Sequence, residues 1–435
     1  MAVAPPPYMT QLIGQAQLLA TRSWEWGTLS EALLEWYNPQ YSVFGHDPFP
    51  NGSIPRTDPN DVASLRYATR HIYLDSVTLA DGDGSSADPA SLGVSAVLRG
   101  AVQSSYKAAA QRQYEHLTTA VPRWPNGAIS HREDYAELWA DFVSMVPPFL
   151  AYYAVAAGDA AALAEAGRQV QLYGEVLAVP GEDCICGDDG EDSEGRTEEG
   201  ESGGVTGESK SERKSKSKRQ QQDANPLTSV PTAGLWRHII GPVHADPGLW
   251  STGNAWAAYG AARVLSTILH SPFFTTSTST STSNSNANIS TIDLTAQSAQ
   301  LSSTIKRILD AAICLDAADP REPFLRNYLN DSSWFGDAAG TALLAATAYR
   351  MVVIDGKMFP PEVYGAWADE KRGAVEAVVD SRTGVVGQVV NPLDWGDRQP
   401  AARSPEAQSF FIMMVAAWRD YAGRMGEGKG KGKGR

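Results

Sequence analysis

The densest run of acid–base residues is Gly127-Ala-Ile-Ser-His-Arg-Glu-Asp-Tyr-Ala-Glu-Leu-Trp-Ala-Asp141, continuing as Phe142-Val-Ser-Met-Val-Pro-Pro-Phe149. On a helix, Asp134, Glu137 and Asp141 stand at i, i+3 and i+7, on one face with Leu138, Met145 and Pro148. Asp141 is flanked by Trp139, Phe142 and Met145. A carboxylate in such surroundings is either desolvated, with the raised pKa that suits a general acid, or paired with a cation such as Arg132.

A second block is Gly234-Leu-Trp-Arg-His238, followed by His244-Ala-Asp-Pro-Gly-Leu-Trp250-Ser-Thr-Gly-Asn254-Ala-Trp256. Tryptophan faces stack on sugar rings, and Asn, His and Arg bond hydroxyls and carboxylates. The same residues could equally build an aromatic core and a turn. Trp24-Glu-Trp26-Gly-Thr28 would line the mouth of a cleft or pack the end of a helical barrel. Asp337, entering a small-residue helix, reads as an N-cap or a ligand contact. Ser404-Pro405-Glu406-Ala-Gln408 reads as a helix start.

Other chemistries lack their signatures. There is no phosphate loop, dinucleotide fingerprint, nucleophile elbow or His-Glu-x-x-His. Three cysteines, Cys184, Cys186 and Cys314, are too few and odd for a disulfide framework, and no ligand set for zinc accompanies them. No metal or organic cofactor is expected.

The 435 residues allow about three domains or one large one. With 43% hydrophobic and 20% charged residues the chain can bury a full core. The apolar stretch Met145–Ala157 holds two prolines and is shorter than the roughly 20 residues of a membrane span. Lys and Arg number 36 against 50 Asp and Glu, a net charge of −14 that opposes binding to nucleic acid. Met1-Ala-Val-Ala-Pro-Pro-Pro-Tyr8 shows no signal peptide, so a cytoplasmic location is the default, and a secreted one would require an incomplete N-terminus.

Something must position these side chains, and the rest of the chain reads as helix after helix. Helical spacing covers Gln11–Thr21, Leu29–Trp36, Asp61–Asp75, Pro89–Ala120, Asp134–Ala157, Asp159–Leu177, Thr252–His270, Thr295–Ala317, Gly340–Ile354, Pro361–Val379 and Pro405–Arg424. Val385–Val390 is the best strand candidate. Residues 182–225 run acidic, Gly/Ser-rich and then basic, 274–290 are rich in Ser, Thr and Asn, and 426–435 alternate Gly and Lys; all three read as disordered. Strongly apolar helices alternate with amphipathic ones, as in a ring of inner helices wrapped by outer ones. The expectation is an all-α, single-domain (α/α)6 toroid over residues 8–425, monomeric. A solenoid would need a repeat period, and none is visible.

Taken together, Trp24-Glu-Trp-Gly-Thr, the Trp139-x-Asp141-x-x-x-Met145-x-x-Pro-Phe149 string, Gly234-Leu-Trp-Arg-His238 with Trp250-Ser-Thr-Gly-Asn-Ala-Trp256, and Ser404-Pro-Glu-Ala-Gln408 resemble blocks of the six-hairpin glycosidases of families 105 and 88. These are unsaturated rhamnogalacturonyl and glucuronyl hydrolases. The resemblance implies an acidic oligosaccharide substrate ending in a 4,5-unsaturated uronic acid. It places Asp141 as general acid/base, His238 in the substrate pocket, and Trp250, Asn254 and Trp256 in the pocket wall. Trp24 and Trp26 fall in its first block. Charge alone adds Arg132 or Arg237 as partners of a uronate carboxylate. The second pocket carboxylate is left among Asp134, Glu137 and Asp337.

Overall fold

The computed structural model describes residues 5–58, 60–184, 225–274 and 294–431. Its helices are α1 (Met9–Leu19), α2 (Ser23–Tyr37), α3 (Ala63–Ala68), α4 (Gly93–Gly100), α5 (Ser104–Thr119), α6 (Phe142–Ala157), α7 (Ala160–Leu177), α8 (Ser251–His270), α9 (Leu294–Ala318), α10 (Ala338–Ile354), α11 (Ala366–Ala377) and α12 (Pro405–Lys431). The even-numbered helices pack in sequence, α2 on α4, α6, α8, α10 and α12, and α12 closes back on α2. Each odd-numbered helix from α3 to α11 lies outside its predecessor, and α1 lies on α12. This is the all-α toroid of six hairpins.

Burial follows the alternation read from the sequence. Helix α8 is buried from Ser251 to Ile268, whereas amphipathic α5 buries only one stripe, including Tyr106, Ala109, Ala110, Gln113 and Leu117. Most of the expected helices are found within a few residues. Pro89–Ala120 divides into α4 and α5, and Asp61–Asp75 shortens to α3. Helix α12 continues to Lys431, into the segment read as a tail. Most of the insertion read over 182–225 and nearly all of the loop read over 274–290 lie outside the described residues.

Three expectations are corrected. Asp134–Asp141 is not the first part of an inner helix; the helix begins at Phe142. Leu138–Trp139 (β1) pairs antiparallel with Ile239–Ile240 (β2). The Glu137 carboxylate holds the segment extended by accepting the N–H groups of Val243 (3.0 Å) and His244 (2.8 Å), tertiary bonds that override local helix propensity. Val385–Val390 forms only isolated bridges, Val379 to Val386 and Val389 to Ala401, around a left-handed Gln388 at φ +52°. The cysteines were not expected to pair, yet Cys184 and Cys314 form a disulfide 130 residues apart in sequence. An Asp183–Arg307 ion pair of 2.7 Å lies beside it. The fold brings α9 against the start of the insertion, and spatial proximity, not the parity of the count, decides the pairing.

The ring interior is charged at one level. Arg350 on α10 bonds Glu35 on α2 at 2.7 Å and also Asp420 on α12. The Tyr259 hydroxyl on α8 donates to Glu35 at 2.6 Å. One turn away, Arg263 on α8 reaches Glu31 on α2 at 2.7 Å and donates to the Ser144 carbonyl of α6 at 3.0 Å. That carbonyl is free because Pro148 has no N–H to return to it. Pro147 likewise frees the Val143 carbonyl, and Gly260 of α8 packs on it so closely that a Cβ would sit 2.3 Å from the oxygen.

Arg350 is 2% exposed and Glu35 fully buried, so Arg350→Ala leaves the Glu35 carboxylate buried with the Tyr259 hydroxyl and no cation bonded to it, while Asp420 keeps Arg419. The variant's unfolding free energy falls by about 3–5 kcal/mol in denaturant titration. Reduction of the Cys184–Cys314 bridge costs about 2–4 kcal/mol in the same assay, through the entropy restored to the unfolded chain.

Candidate functional site

At the ends of the inner helices where α2, α6 and α12 begin, a cleft of about 180 Å³ opens. Its lining includes Arg22, Trp24, Asp88, His131, Arg132, Trp139, Asp141, Trp395 and Glu406. The site is therefore assembled from helix starts and the loops that precede them.

Asp141 is the residue immediately before α6, in a helical conformation, and its carboxylate makes no capping bond to its own helix. It is 8% exposed. Its Oδ2 lies 3.4 Å from Nε2 of His238, whose Nδ1 bonds Asp246 at 2.9 Å. His238 is fully enclosed. Burial disfavours its charge, but hydrogen bonding and charge from Asp141 and Asp246 prevail and raise its pKa. His131, on the other side, stacks on Trp139 with centroids 4.6 Å apart. Burial dominates there and lowers its pKa to about 3 despite the Asp141 charge, so it is neutral.

Besides the exposed Asp83 at its rim, two shielded carboxyls share the cleft with Asp141. Asp88 accepts the Ser85 hydroxyl at 2.8 Å. Burial raises its pKa to about 7, with the Asp141 charge adding and Ser85 opposing. Glu406, in the first turn of α12, is pushed well above the ordinary range by burial and then by the charges of Asp141, Glu25 and Asp337. In the sequence Glu406 stands in a helix start that is also one of the resembling blocks, with no pocket role assigned to it, and Asp88 stands in none. The one local signal for Asp88 is its place before Pro89, opening a 3₁₀ turn that leads into α4.

The residues proposed as the second carboxylate do other work. Asp134 is exposed. Glu137 is fully buried and accepts the Trp139 indole N–H at 2.8 Å and His244 at 2.9 Å as well as two backbone N–H groups. Burial raises its pKa, but these bonds outweigh it and leave the group low. Asp337 caps α10 through Ala339 and Gly340 N–H and also holds Ser251, Thr252 and Val390.

Of the aromatic candidates, Trp24 and the unanticipated Trp395 face the cleft. Trp395 stands edge-on to Trp139 at 5.6 Å and to His238 at 5.0 Å. Trp26 turns away, stacking on His71 and donating to the Ala20 carbonyl. Trp250 is the wall behind His238, 4.4 Å from it, with its N–H given to Asn327. Asn254 is fully buried and ties the Trp236 backbone N–H and carbonyl and the Trp250 carbonyl together. Trp256 lies beneath the floor, edge-on to Phe410 and against Glu406, whose pKa its indole lowers slightly. Asn254 and Trp256 thus support the pocket from behind its surface.

Arg132 lines the cleft and donates to the Asp83 carbonyl at 3.3 Å; Arg22 pairs with the Asp83 carboxylate at 3.1 Å. Arg237 is outside the cleft lining, its backbone N–H bonded to Leu177. Asp83 is exposed, so its pair with Arg22 is weak and leaves the guanidinium free to change partners.

The (α/α)6 architecture is shared with solved structures of glycoside hydrolases. The chain is similar in structure to a possible member of the GH105 family from Klebsiella pneumoniae subsp. pneumoniae, at 13% identity and a TM-score of 0.61, over 96% of this chain and 92% of that one. A family 105 glycoside hydrolase of C. acetobutylicum matches at 11% identity and a TM-score of 0.62, over 95% and 100%. An unsaturated glucuronyl hydrolase specific for heparin matches at 10% identity and a TM-score of 0.53, over 95% of each chain. At these identities the likeness is one of fold. No family model and no curated protein matches the sequence.

Asp88 offers a direct test of the cleft electrostatics. Its folded pKa of about 7 exceeds the unfolded value of about 4, so the native state binds the extra proton between these limits. Wild-type stability therefore falls as pH rises through that window. Asp88→Asn removes the loss: its melting temperature relative to wild type rises from pH 4 to pH 7 and levels off above.

Proposed function

We propose that the chain is a glycoside hydrolase acting on unsaturated uronyl oligosaccharides of the pectin or rhamnogalacturonan type. The observation that carries this reading is Asp141: a shielded carboxylate with no structural bond to its own helix, facing an aromatic cleft and backed by His238. In the reaction, Asp141 protonates C4 of the 4,5 double bond. Water adds at the oxocarbenium-like C5 and returns a proton to the Asp141 carboxylate. The resulting hemiketal opens and releases the neighbouring sugar. Arg22 and Arg132 bind the uronate carboxylate, and Trp24 and Trp395 supply faces for the ring. Asp88, protonated up to about pH 7, is a hydrogen-bond donor to a ring hydroxyl. The chemistry is proton transfer, and no step calls for a cofactor.

The sharing of one cleft by Asp88, Asp141 and Glu406 favours one competing reading, a conventional glycosidase with two carboxylates acting on saturated glycans. The test is incubation with lyase-generated unsaturated disaccharides while following the ultraviolet absorbance of the conjugated double bond. The expected result is loss of absorbance, slowed roughly 10²–10⁴-fold in a folded Asp141→Asn variant. Retained absorbance together with cleavage of saturated glycans establishes the competing reading instead.

A further inference from the structure

His238 is held from behind by a structure that the proposed reaction does not use. Asp246 Oδ2 bonds its Nδ1 at 2.9 Å, and the Tyr328 hydroxyl donates to the same oxygen. The other oxygen, Oδ1, accepts the Gly248 N–H at 3.0 Å. The Asp246 backbone is pinned in turn by a reciprocal bridge to Ile239, with N–H···O distances of 2.8 and 3.0 Å. Trp250, Trp395 and Trp139 box the ring at 4.4, 5.0 and 5.8 Å. The His238 carbonyl accepts the N–H of Ala140, the neighbour of Asp141, at 2.9 Å. Both the ring and the backbone of His238 therefore bear on the residue that the reaction needs.

We infer that Asp246 is a positioning residue for the acid–base centre: by holding Nδ1 of His238 it keeps Nε2 beside Oδ2 of Asp141, 3.4 Å away, and leaves Oδ1 as the oxygen that exchanges a proton with substrate. The inference rests on the role proposed for Asp141. An ionised Asp246 accepts only, so Nδ1 carries a proton, and Nε2 is the ring nitrogen turned toward Asp141. The charged and titratable groups around this ring are Asp141 at the head of α6, Asp246 on the loop after β2, Tyr328 through Asp246, and His131 from the segment before β1. Asp88 and Glu406 act on it through Asp141. The Tyr328 hydroxyl donates a hydrogen bond to Asp246 and so favours the ionised form of that carboxyl; burial pushes up the Tyr328 pKa, with Asp246 adding, so it remains a donor. An asparagine at 246 can donate to Nδ1, which then becomes the acceptor. The proton count and aim of the ring are changed with little change in volume.

The experiment is nitrogen NMR of the full chain labelled in its 7 histidines, with His238 assigned by the loss of its signals in His238→Gln. Asp246→Asn is expected to lower the His238 titration midpoint by at least one pH unit, Tyr328→Phe by less, and Asp246→Glu to restore it. On unsaturated disaccharides, Asp246→Asn is expected to lower kcat roughly 10- to 100-fold with KM little changed, and to shift one limb of the pH profile in the direction of the NMR midpoint. An unchanged His238 midpoint in Asp246→Asn overturns the inference. So does a rise in KM with kcat preserved, which marks a binding role. The NMR result needs no substrate, so it stands apart from a failure of the proposed activity.

Discussion

The ring depends on a buried charge network that no single hairpin can satisfy. Glu31 and Glu35 enter from α2, Tyr259 and Arg263 from α8, Arg350 from α10, Asp420 from α12, and a proline-freed carbonyl from α6. Each ion costs several kcal/mol to desolvate, and only the complete constellation returns that cost. Burial raises the Glu31 pKa, and the Arg263 charge opposes the rise. Such a network does not add greatly to net stability against an apolar core. It penalises any sliding of one inner helix past another, because a shift of one turn strands a charge.

That register has consequences some 10 Å away, by the rise per residue of α2 between Trp24 and Glu31. With five of the six inner helices locked at the level of the network, their starts converge at the cleft. Asp141 and Glu406 arrive at the heads of α6 and α12, and Asp88 arrives on the turn that leads into α4. Helix starts also carry partial positive charge, which helps to tolerate carboxylates crowded there. The cleft then differentiates similar groups by surroundings. His131, stacked on Trp139 and desolvated, is neutral. His238, equally buried, gains two carboxylate partners and is driven toward its charged form.

The aromatic shell divides in the same way. Trp24 and Trp395 face the opening, whereas Trp250 and Trp256 are spent on holding His238 and Glu406 from behind. Asn254 binds three backbone groups and stitches the backbone at Trp236 to the start of α8. A residue can belong to a site by building the wall without touching what the wall encloses.

The sequence by itself determined the helices, their inner and outer alternation and hence the toroid, because burial periodicity is a local property of each segment. It also marked Asp141, His238, Arg132 and Trp24, which stand in blocks rich in chemistry. What only the tertiary structure decided was the partnership of distant groups. Asp88 and Glu406 join Asp141 from segments 53 and 265 residues away in sequence; Asp88 stands in no recognisable block, and the chemistry of the block around Glu406 is that of a helix start, which does not say that its carboxyl faces a cleft. Glu137 sits four residues from Asp141 and was read on the same helical face, but bonds from the loop after β2 pull its segment into an extended pair. Cys184 and Cys314 meet for the same reason. Solvent exposure patterns are written in adjacent residues; electrostatic neighbours are chosen by the closure of the ring.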